Sequence, residues 1–386
     1  MMEFKILGDI CNIVSGGTPP RSKSQYWDNG NIPWIKIRDI KSKYIEDSEE
    51  SITIEGLNNS STKLLTKGTV LYTIFATLGE VGILKIDACT NQAIAGLTVK
   101  DETKILPEYL YYYLKSKKNI VNKLGRGAAQ NNINLSMLKS FEIEIIDIIK
   151  QNNIIRTLNY VDNLIKLKSR ELELLDELVK ARFVEFFGDA IHNDKRWKTD
   201  TVENLCKEIY GGGTPSKSHP EYYEDGDIPW VSSKDMKTEV LTDSQIKINQ
   251  LGVDNSAARM VPINSVIMVI RSGILKHTLP VAINVVPITV NQDLKVFIPN
   301  ERVLTRFLAV QFKMHEKDIL SGVRAVTADN IEFNSLKQRK LIVPPIDVQQ
   351  EYVTFLEQID KSRLEVQKSL EKTQELFDSL MQKYFG

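Results

Sequence analysis

The chain has 386 residues, of which 42% are hydrophobic and 26% are charged. This balance excludes a wholly disordered chain, a fibre and a single small domain, and it allows two or three folded domains. Lysine plus arginine and aspartate plus glutamate number 50 each, so any nucleic-acid surface must be a local patch of cations. The three cysteines have no paired spacing, and the sequence has neither a signal peptide nor a membrane-spanning run, which favours a cytoplasmic location.

Residues 1–148 are predicted to form an α+β domain. Short β-type runs such as NIPWIKI and TVLYTIFA alternate with turn residues, and the helical stretch PEYLYYYLKSKKNIVNKL follows. Between Glu108 and Glu142 the sequence has six cations and no acid, a pattern that favours contact with phosphate groups. A helix face that is merely solvated is the alternative interpretation.

The candidates for DNA contact in this first domain fall in several segments. In WIKIRDI, strand alternation places Lys36 and Arg38 on one outward face, although an ordinary polar strand face is equally expected. The loop GRGAAQNN at 125–132 has glycines for a close backbone approach and side chains suited to base edges, with an ordinary turn as the alternative. The candidates are Thr18, Lys36, Arg38, Lys117, Lys118, Arg126, Gln130 and Asn131.

Residues 149–188 are predicted to form one long helix. Positions 150–187 contain no glycine or proline and are rich in leucine, lysine and glutamate. Alternating steps of four and three from Ile154 to Phe186 meet apolar residues at eight of ten positions. This period of 3.5 residues, kept for about five heptads, indicates a coiled-coil seam.

The chain then repeats itself. GGTPPRSKSQYWDNGNIPW at 16–34 returns as GGTPSKSHPEYYEDGDIPW at 212–230, and the helix end at Phe187 returns 198 residues later at Phe385. We therefore predict a second domain at 189–346, beginning with a short linker, and a second long helix at 347–386. A linker of about ten residues spans at most about 35 Å, whereas the helix is about 54 Å long. The helices should consequently pair antiparallel, with one globular domain at each end and a pseudo-two-fold relation between the copies.

The second domain offers a corresponding set of candidates for DNA contact. Arg271 ends an apolar strand next to a glycine turn, where DNA contact and an internal salt bridge are equally expected. Trp34 and Trp230 are expected to be core residues. The candidates are Thr214, Lys234, Arg271, Lys276, Arg324 and Thr327.

These features carry a family resemblance over essentially the whole chain. The GGTPP and GGTPS turns, the two IPW motifs and the junction LKQRKLIVPPIDVQQEYVTFLEQID resemble the specificity subunit of type I restriction-modification systems. The resemblance implies two target recognition domains, each of which reads half of a bipartite, asymmetric DNA site. It also implies that the helices set the spacer and dock two methyltransferase subunits, and through them restriction and translocase subunits.

Catalytic activity is expected in the partner subunits and not in this chain. GGGTPSKS at 211–218 is close to a phosphate-binding loop, but Pro215 removes an amide and the glycine before the lysine is missing. The resemblance places the cofactor S-adenosylmethionine in the methyltransferase subunits, with none in this chain. Aromatic residues near the helix ends are candidates for docking those partners, with packing on the chain's own domains as the alternative: Phe183, Phe186, Phe187, Phe377, Tyr384 and Phe385. A coiled-coil protein adaptor without DNA binding is the alternative function.

Overall fold

The computed structural model describes residues 3–126, 132–322, 324–325 and 329–386. The chain divides into two compact units. Unit 1 comprises Met1–Ser169 and Lys368–Gly386, and unit 2 comprises Arg170–Gln367. Each unit therefore contains one globular domain together with part of each long helix.

Unit 1 has a mixed α and β content, as the sequence predicts. Its strands are β1 Glu3–Ile6, β2 Cys11–Ser15, β3 Ile32–Ile35, β4 Tyr44–Ile45, β5 Ser51–Ile52, β6 Val70–Thr73, β7 Val81–Leu84, β8 Cys89–Thr90, β9 Ile94–Val99 and β10 Glu142–Ile145. Its helices are α1 Leu7–Ile10, α2 Ile54–Asn58, α3 Pro107–Ser116, α4 Lys118–Arg126, α5 Leu135–Lys139 and the first part of α6 Ile148–Phe187.

Unit 2 repeats this order of elements and has three more strands among the described residues. Its strands are β11 Thr199–Thr201, β12 Cys206–Gly211, β13 Ile228–Val231, β14 Val240–Leu241, β15 Lys247–Ile248, β16 Met260–Val261, β17 Val266–Val269, β18 Val281–Asn284, β19 Ile288–Val290, β20 Leu294–Pro299, β21 Arg324–Ala325, β22 Asp329–Asn330 and β23 Lys340–Ile342. Its helices are α7 Val202–Leu205, α8 Gln250–Asp254, α9 Thr305–Met314, α10 Glu316–Ser321, α11 Phe333–Gln338 and the first part of α12 Ile346–Phe385.

The two units share one sheet topology. The main sheet of unit 1 has the order β2-β9-β6-β7-β4, and that of unit 2 has the equivalent order β12-β20-β17-β18-β14. The register is also repeated, because Val70 pairs with Ile83 in unit 1 and Val266 pairs with Ile283 in unit 2. The central strands β6 and β17 are buried along their whole length, which explains why they consist of apolar residues except for Tyr72 and Thr73 of β6.

The two long helices have the same length, 40 residues each. Within unit 2 they run antiparallel: Phe187 of α6 packs against Tyr352 of α12, with ring centroids 5.3 Å apart, and Asp176 pairs with Arg363 at 2.5 Å. From Tyr352 to Arg363 the chain advances eleven residues along α12, and their partners Phe187 and Asp176 lie eleven residues apart in the opposite direction along α6. Within unit 1, Leu158 of α6 and Phe377 of α12 lie in one hydrophobic core.

A buried glutamine fastens each long helix to its domain. Gln151 accepts a hydrogen bond from the Leu106 amide and donates to the carbonyls of Lys104 and Ile146, at 2.7 to 2.9 Å. Gln349 makes the same three bonds, with the Leu304 amide and with the carbonyls of Arg302 and Pro344, at 2.8 to 3.0 Å. Both side chains are fully buried. The junction is therefore equivalent in the two copies, although Pro344 and Pro345 of the second copy correspond to Ile146 and Asp147 in the first.

Candidate nucleic-acid interface

The repeated GGTP turn places two chain segments in close contact. In unit 1 the Gly17 amide donates to the Thr90 carbonyl at 2.9 Å, and the Gly17 carbonyl accepts from the buried Trp34 indole at 2.9 Å. A Cβ on Gly16 would lie 2.2 Å from the Thr90 carbonyl oxygen, so only glycine allows this approach. In unit 2 the Trp230 indole donates to the Gly213 carbonyl, also at 2.9 Å. The two tryptophans are core residues, as predicted.

This turn brings a threonine hydroxyl to a glutamine that lies more than 70 positions away in the sequence. Thr18 donates to the side-chain oxygen of Gln92 at 2.5 Å, and Thr214 makes the same bond to Gln292. Both glutamines are exposed. Because the hydrogen bond uses the side-chain oxygen, the amide NH₂ of each exposed glutamine is available to donate to another group. Nothing in the spacing of the sequence predicted these glutamines, although the dipeptide NQ occurs at 91–92 and again at 291–292.

The residues beside this constant pair differ between the copies. In unit 2 the Arg271 guanidinium holds the Asp293 carboxylate with two nitrogens, each at 2.6 Å. In unit 1 the equivalent residues are Phe75 and Ala93, and the Phe75 side chain is 42% exposed. Each of these segments also forms a bridge to the loop that follows α4 or α10, Phe75 with Asn132 and Arg271 with Asn330. An exposed phenylalanine on a polar surface is a feature that sequence reasoning missed.

Two further candidates of unit 2, Lys276 and Arg324, lie near Arg271. The Ser272 amide donates to the carbonyl of Asp329, and the Asp329 carboxylate lies 3.7 Å from the Lys276 ammonium. The backbone of Arg324 pairs with Asn330 in the hairpin of β21 and β22. The structure therefore brings Arg271, Lys276 and the Arg324 backbone together, whereas Lys234 is exposed in the turn after β13.

The strand geometry predicted for Lys36 and Arg38 is wrong. β3 ends at Ile35, and Ile37–Asp39 form a 3-10 turn, because the Asp39 carboxylate accepts a hydrogen bond from the Lys36 amide at 2.7 Å. An aspartate that bonds its neighbouring backbone competes with strand pairing. Lys36 and Arg38 still share one environment, since the Lys36 ammonium and the Arg38 guanidinium each pair with Glu49 and Glu50.

The cations near α3 are also paired within unit 1. Lys118 forms an ion pair with Glu80 at 2.7 Å. Lys117 donates to the carbonyl of Phe385 at 2.9 Å and so caps the C-terminal end of α12, a favourable place for a cation. The side chains of Arg126 and Arg324 and all of Gln130, Asn131 and Thr327 lie outside the described residues.

The aromatic candidates for partner docking lie mostly inside the chain's own cores. Phe183 and Phe187 are fully buried in unit 2, and Phe377 and Phe385 are at most 8% exposed in unit 1. Phe186 and Tyr384 are partly buried against the same cores. This placement favours the alternative interpretation, in which these residues attach the helices to the domains, because a side chain buried in its own core offers no surface to a partner.

Other apolar side chains of the helices face outward. In unit 1, Tyr160 and Leu167 of α6 are 67% and 66% exposed. In unit 2, Leu174 and Leu178 of α6 and Leu364 of α12 are 45 to 54% exposed. Tyr160, Leu167 and Leu174 follow one another at intervals of seven residues. Such a repeat on one helix face is suited to packing against helices of another protein.

Comparison with known proteins identifies the family. The sequence profile described as the type I restriction modification DNA specificity domain matches residues 1–177 and again residues 194–376. These two matches cover most of the chain and follow its internal repeat. The chain belongs to this type I restriction-modification specificity family. It is a non-catalytic specificity subunit, and the function of the family is DNA recognition.

Relatives of this specificity subunit agree in length. The MjaIX specificity subunit of Methanocaldococcus jannaschii is 26% identical, over 99% of this chain and 92% of its own length. The EcoR124I/EcoR124II specificity subunit of Escherichia coli is 27% identical, over 86% of this chain and 88% of its own. The resemblance inferred from the repeated motifs is thereby confirmed.

Solved structures share the fold of this specificity subunit. The S subunit of the type I system of M. genitalium aligns over 100% of this chain and 96% of its own, with a TM-score of 0.57 and 15% identity. A chain from a structure on complex assembly and conformational transition of the type I system aligns with a TM-score of 0.62 and 14% identity, over 100% of this chain and 97% of its own. Two α+β repeats with two long helices are therefore the fold of these proteins.

The described residues of this subunit offer neither a metal site nor a membrane-spanning helix. No group of three or more histidine, cysteine, aspartate or glutamate side chains within residues 3–126, 132–322, 324–325 and 329–386 is arranged to hold a metal ion. Among the same residues, every helix is too short or too polar to cross a membrane.

Proposed function

We propose that the two globular domains each read one half of a bipartite, asymmetric DNA site. The observation that carries this proposal is the pair of equivalent surfaces at Gln92 and Gln292. Their threonine–glutamine pairs are the same, whereas the neighbouring residues Phe75 and Arg271 differ. A contact that is common to both halves suits the DNA backbone, and a contact that differs between them suits the bases.

The chemistry of the differing residues fits direct reading of bases. An arginine reads guanine through two hydrogen bonds in the major groove, and a phenylalanine makes apolar contact with the methyl group of thymine. Asp293 orients Arg271 and is itself able to accept from cytosine. We expect Thr18 and Thr214 to act by orienting Gln92 and Gln292, whose amide groups would donate to phosphates. We expect Lys234 and Lys276 to contact phosphates directly.

Several proposed phosphate contacts involve cations that are already paired with carboxylates. Lys36, Arg38 and Lys118 are paired with carboxylates in the free chain, so a phosphate would displace or share those partners. Lys117 is already bound to the end of α12 and is the weakest of these candidates. Arg126, Gln130, Asn131, Arg324 and Thr327 remain proposed contacts on the strength of their sequence.

We propose that the long helices set the distance between the half-sites. The domains are assigned to 1–148 and 189–346, and the helices to 149–188 and 347–386. Deleting one heptad from each helix, residues 167–173 and 365–371, removes about 10 Å of helix. At 3.4 Å per base pair this corresponds to about three base pairs, so the preferred spacer should become about three base pairs shorter. An unchanged spacer would contradict this role of the helices.

The partners proposed for the helices are two DNA methyltransferase subunits, and through them restriction and translocase subunits. The exposed residues Tyr160, Leu167, Leu174 and Leu178 are proposed as the docking surface, in addition to the partly buried Phe186 and Tyr384. S-adenosylmethionine is expected in the methyltransferase subunits. Replacing Tyr160 and Leu167 by serine should weaken assembly with the methyltransferase subunit by at least tenfold, because it removes apolar side chains of the proposed docking surface. The fold should be kept, because these side chains contribute little to the core of unit 1.

The decisive experiment is sequencing of methylated sites in cells that express this chain with its methyltransferase partner. A single motif with two defined halves and a constant spacer is the expected result. Each half should be inherited independently when one domain is exchanged for that of a relative. If assembly occurs but methylation has no sequence preference, the chain is an adaptor and the proposal fails.

A further inference from the structure

A cavity of 220 Å³ lies in unit 1 between the first domain and the beginning of α6. Five lysines line it: Lys41, Lys43, Lys115, Lys118 and Lys166. Only two carboxylates line the same cavity, those of Glu80 and Asp162. Two more carboxylates lie beside the lining, Glu108 at 3.4 Å from the Lys43 ammonium and Glu49 at 4.0 Å from the Lys41 ammonium. The uncompensated positive charge therefore lies at Lys115, Lys118 and Lys166.

The two carboxylates are shared among the lysines. Asp162 lies 2.8 Å from the Lys166 ammonium and 3.6 Å from the Lys115 ammonium, while Glu80 pairs with Lys118. Burial lowers the pKa of Lys115, and the ammonium groups of Lys166 and Lys118 lower it further, against the opposing effect of Asp162. The positive charge in this cavity is thus only partly compensated by the chain itself.

The equivalent groove of unit 2 has a different balance of charge. The positions of Lys115, Lys118 and Lys166 correspond there to Lys313, Glu316 and Leu364. Two positions of unit 2 carry the opposite charge from their counterparts in unit 1. Glu239 stands where unit 1 has Lys43, and Glu316 stands where unit 1 has Lys118. The excess of positive charge is therefore a property of unit 1 and not of the shared fold.

We propose that the lysine cavity of unit 1 binds a phosphate group, held by Lys115, Lys118 and Lys166. Each ammonium group offers three donors, and charge-assisted bonds to phosphate are among the stronger hydrogen bonds in proteins. A water molecule takes up about 30 Å³ in the liquid, so the cavity has room for a tetrahedral oxyanion together with several waters. If the phosphate belongs to the DNA backbone, this site rests on the proposed function and adds one more contact with DNA. Binding of a free phosphate would not depend on that function.

The test uses the full chain and inorganic phosphate as the probe, measured by calorimetry at constant ionic strength. The variant Lys118→Gln with Lys166→Gln removes two exposed charges from the cavity. The matched control, Lys180→Gln with Lys317→Gln, removes two exposed charges from the groove of unit 2. Thermal unfolding establishes that both variants fold. We expect the first variant to bind phosphate at least fivefold more weakly and the control to stay within twofold of the unchanged chain.

Absence of saturable phosphate binding, or an equal loss in both variants, would overturn the inference. A parallel titration with duplex DNA, in the complex with the methyltransferase subunit, distinguishes the sources of phosphate. Competition by phosphate and weaker DNA binding in the first variant assign the cavity to the DNA backbone, whereas unchanged DNA binding assigns it to a small phosphate. Failure of all forms of the complex to bind DNA would refute the proposed function and leave the phosphate result unaffected.

Discussion

Lys43 and Glu239 occupy the same position in the two copies but carry opposite charges. The carbonyl of each accepts a hydrogen bond from the central sheet, from Ile83 and Ile283 respectively. Lys43 lies 3.4 Å from Glu108, and Glu239 lies 3.1 Å from Arg306. Glu108 and Arg306 are themselves equivalent, so the second copy contains the ion pair of the first with both charges reversed.

This reversal predicts a coupled effect of substitution in unit 2. Arg306→Glu should lower the free energy of unfolding by about 2 kcal/mol, because Asp360 and Glu239 would face a third carboxylate. Adding Glu239→Lys should recover about 1 kcal/mol, because it recreates the polarity of the first copy. Denaturant unfolding of the two single variants and the double variant measures the coupling. Additive losses would show that the two residues do not interact.

A second prediction concerns the buried glutamine at the start of α12. Gln349→Glu should destabilise unit 2 by about 2 to 4 kcal/mol at neutral pH, because a carboxylate cannot donate to the carbonyls of Arg302 and Pro344. The variant should regain stability as the pH falls and the new carboxyl group takes up a proton. Thermal unfolding between pH 4 and pH 7 measures this effect. Gln350→Glu, at the exposed neighbouring position, is the matched control and should change stability by less than about 0.5 kcal/mol.

A third prediction concerns His315, which stands where the first copy has Lys117. The imidazole is buried, and neither ring nitrogen has a hydrogen-bond partner among the described residues. Burial, and next the Arg339 guanidinium, lower the pKa of His315 from 6.5 to about 4. Because the folded state resists protonation and the unfolded state does not, stability should fall as the pH drops from about 6.5 towards 4, by up to about 3 kcal/mol.

The measurement is the pH dependence of unfolding in the unchanged chain and in two variants. His315→Phe should flatten the dependence between pH 6.5 and pH 4. His219→Phe, at an exposed imidazole, should leave it unaltered. A dependence that survives in the His315 variant would assign the acid sensitivity to other groups.

A fourth prediction concerns the surface at which the two domains differ. Asp293→Asn should release the Arg271 guanidinium and raise the affinity for DNA a few-fold, with a steeper dependence on salt. Arg271→Gln should have the opposite effect and should relax preference at one base position of its half-site, at a cost of about 1 to 3 kcal/mol. Binding of the complex to a set of half-site variants at two salt concentrations measures both effects.

Phe75→Ala provides the corresponding test in unit 1. Because the side chain is largely outside the core, thermal stability should change little, while discrimination in the first half-site should weaken. The second half-site should be read as before. Loss of discrimination in both halves would show that Phe75 acts on the structure of the whole protein and not on one contact.

Much of the architecture could be predicted from the sequence because it depends on local patterns and on repetition. A run of about 38 residues without glycine or proline must form a helix of that length once it is partly buried, and α6 and α12 do so. The α+β domains follow from short apolar runs between turns. The family resemblance depends on the order of the repeated motifs and not on any single residue.

The candidate site was predicted less well, because its parts come together only through the fold. Thr18 and Gln92 are 74 positions apart, and no spacing rule joins them. The strand predicted at Lys36 fails because one aspartate bonds the backbone locally. The docking role predicted for Phe183 and Phe187 overlooks the core that receives them, since an aromatic residue near a helix end has the same sequence signature whether it is buried or exposed.

The sequence by itself determined that this protein is built twice, with two α+β domains and two long helices of equal length, because repetition and periodicity are written in the order of the residues. The tertiary structure alone decided which glutamine meets which threonine. It also decided that the Lys43–Glu108 ion pair of the first copy returns in the second as Glu239–Arg306, with both charges reversed. The physical reason is that hydrogen bonds and ion pairs depend on distances of a few ångströms, and only the folded chain brings remote segments that close together.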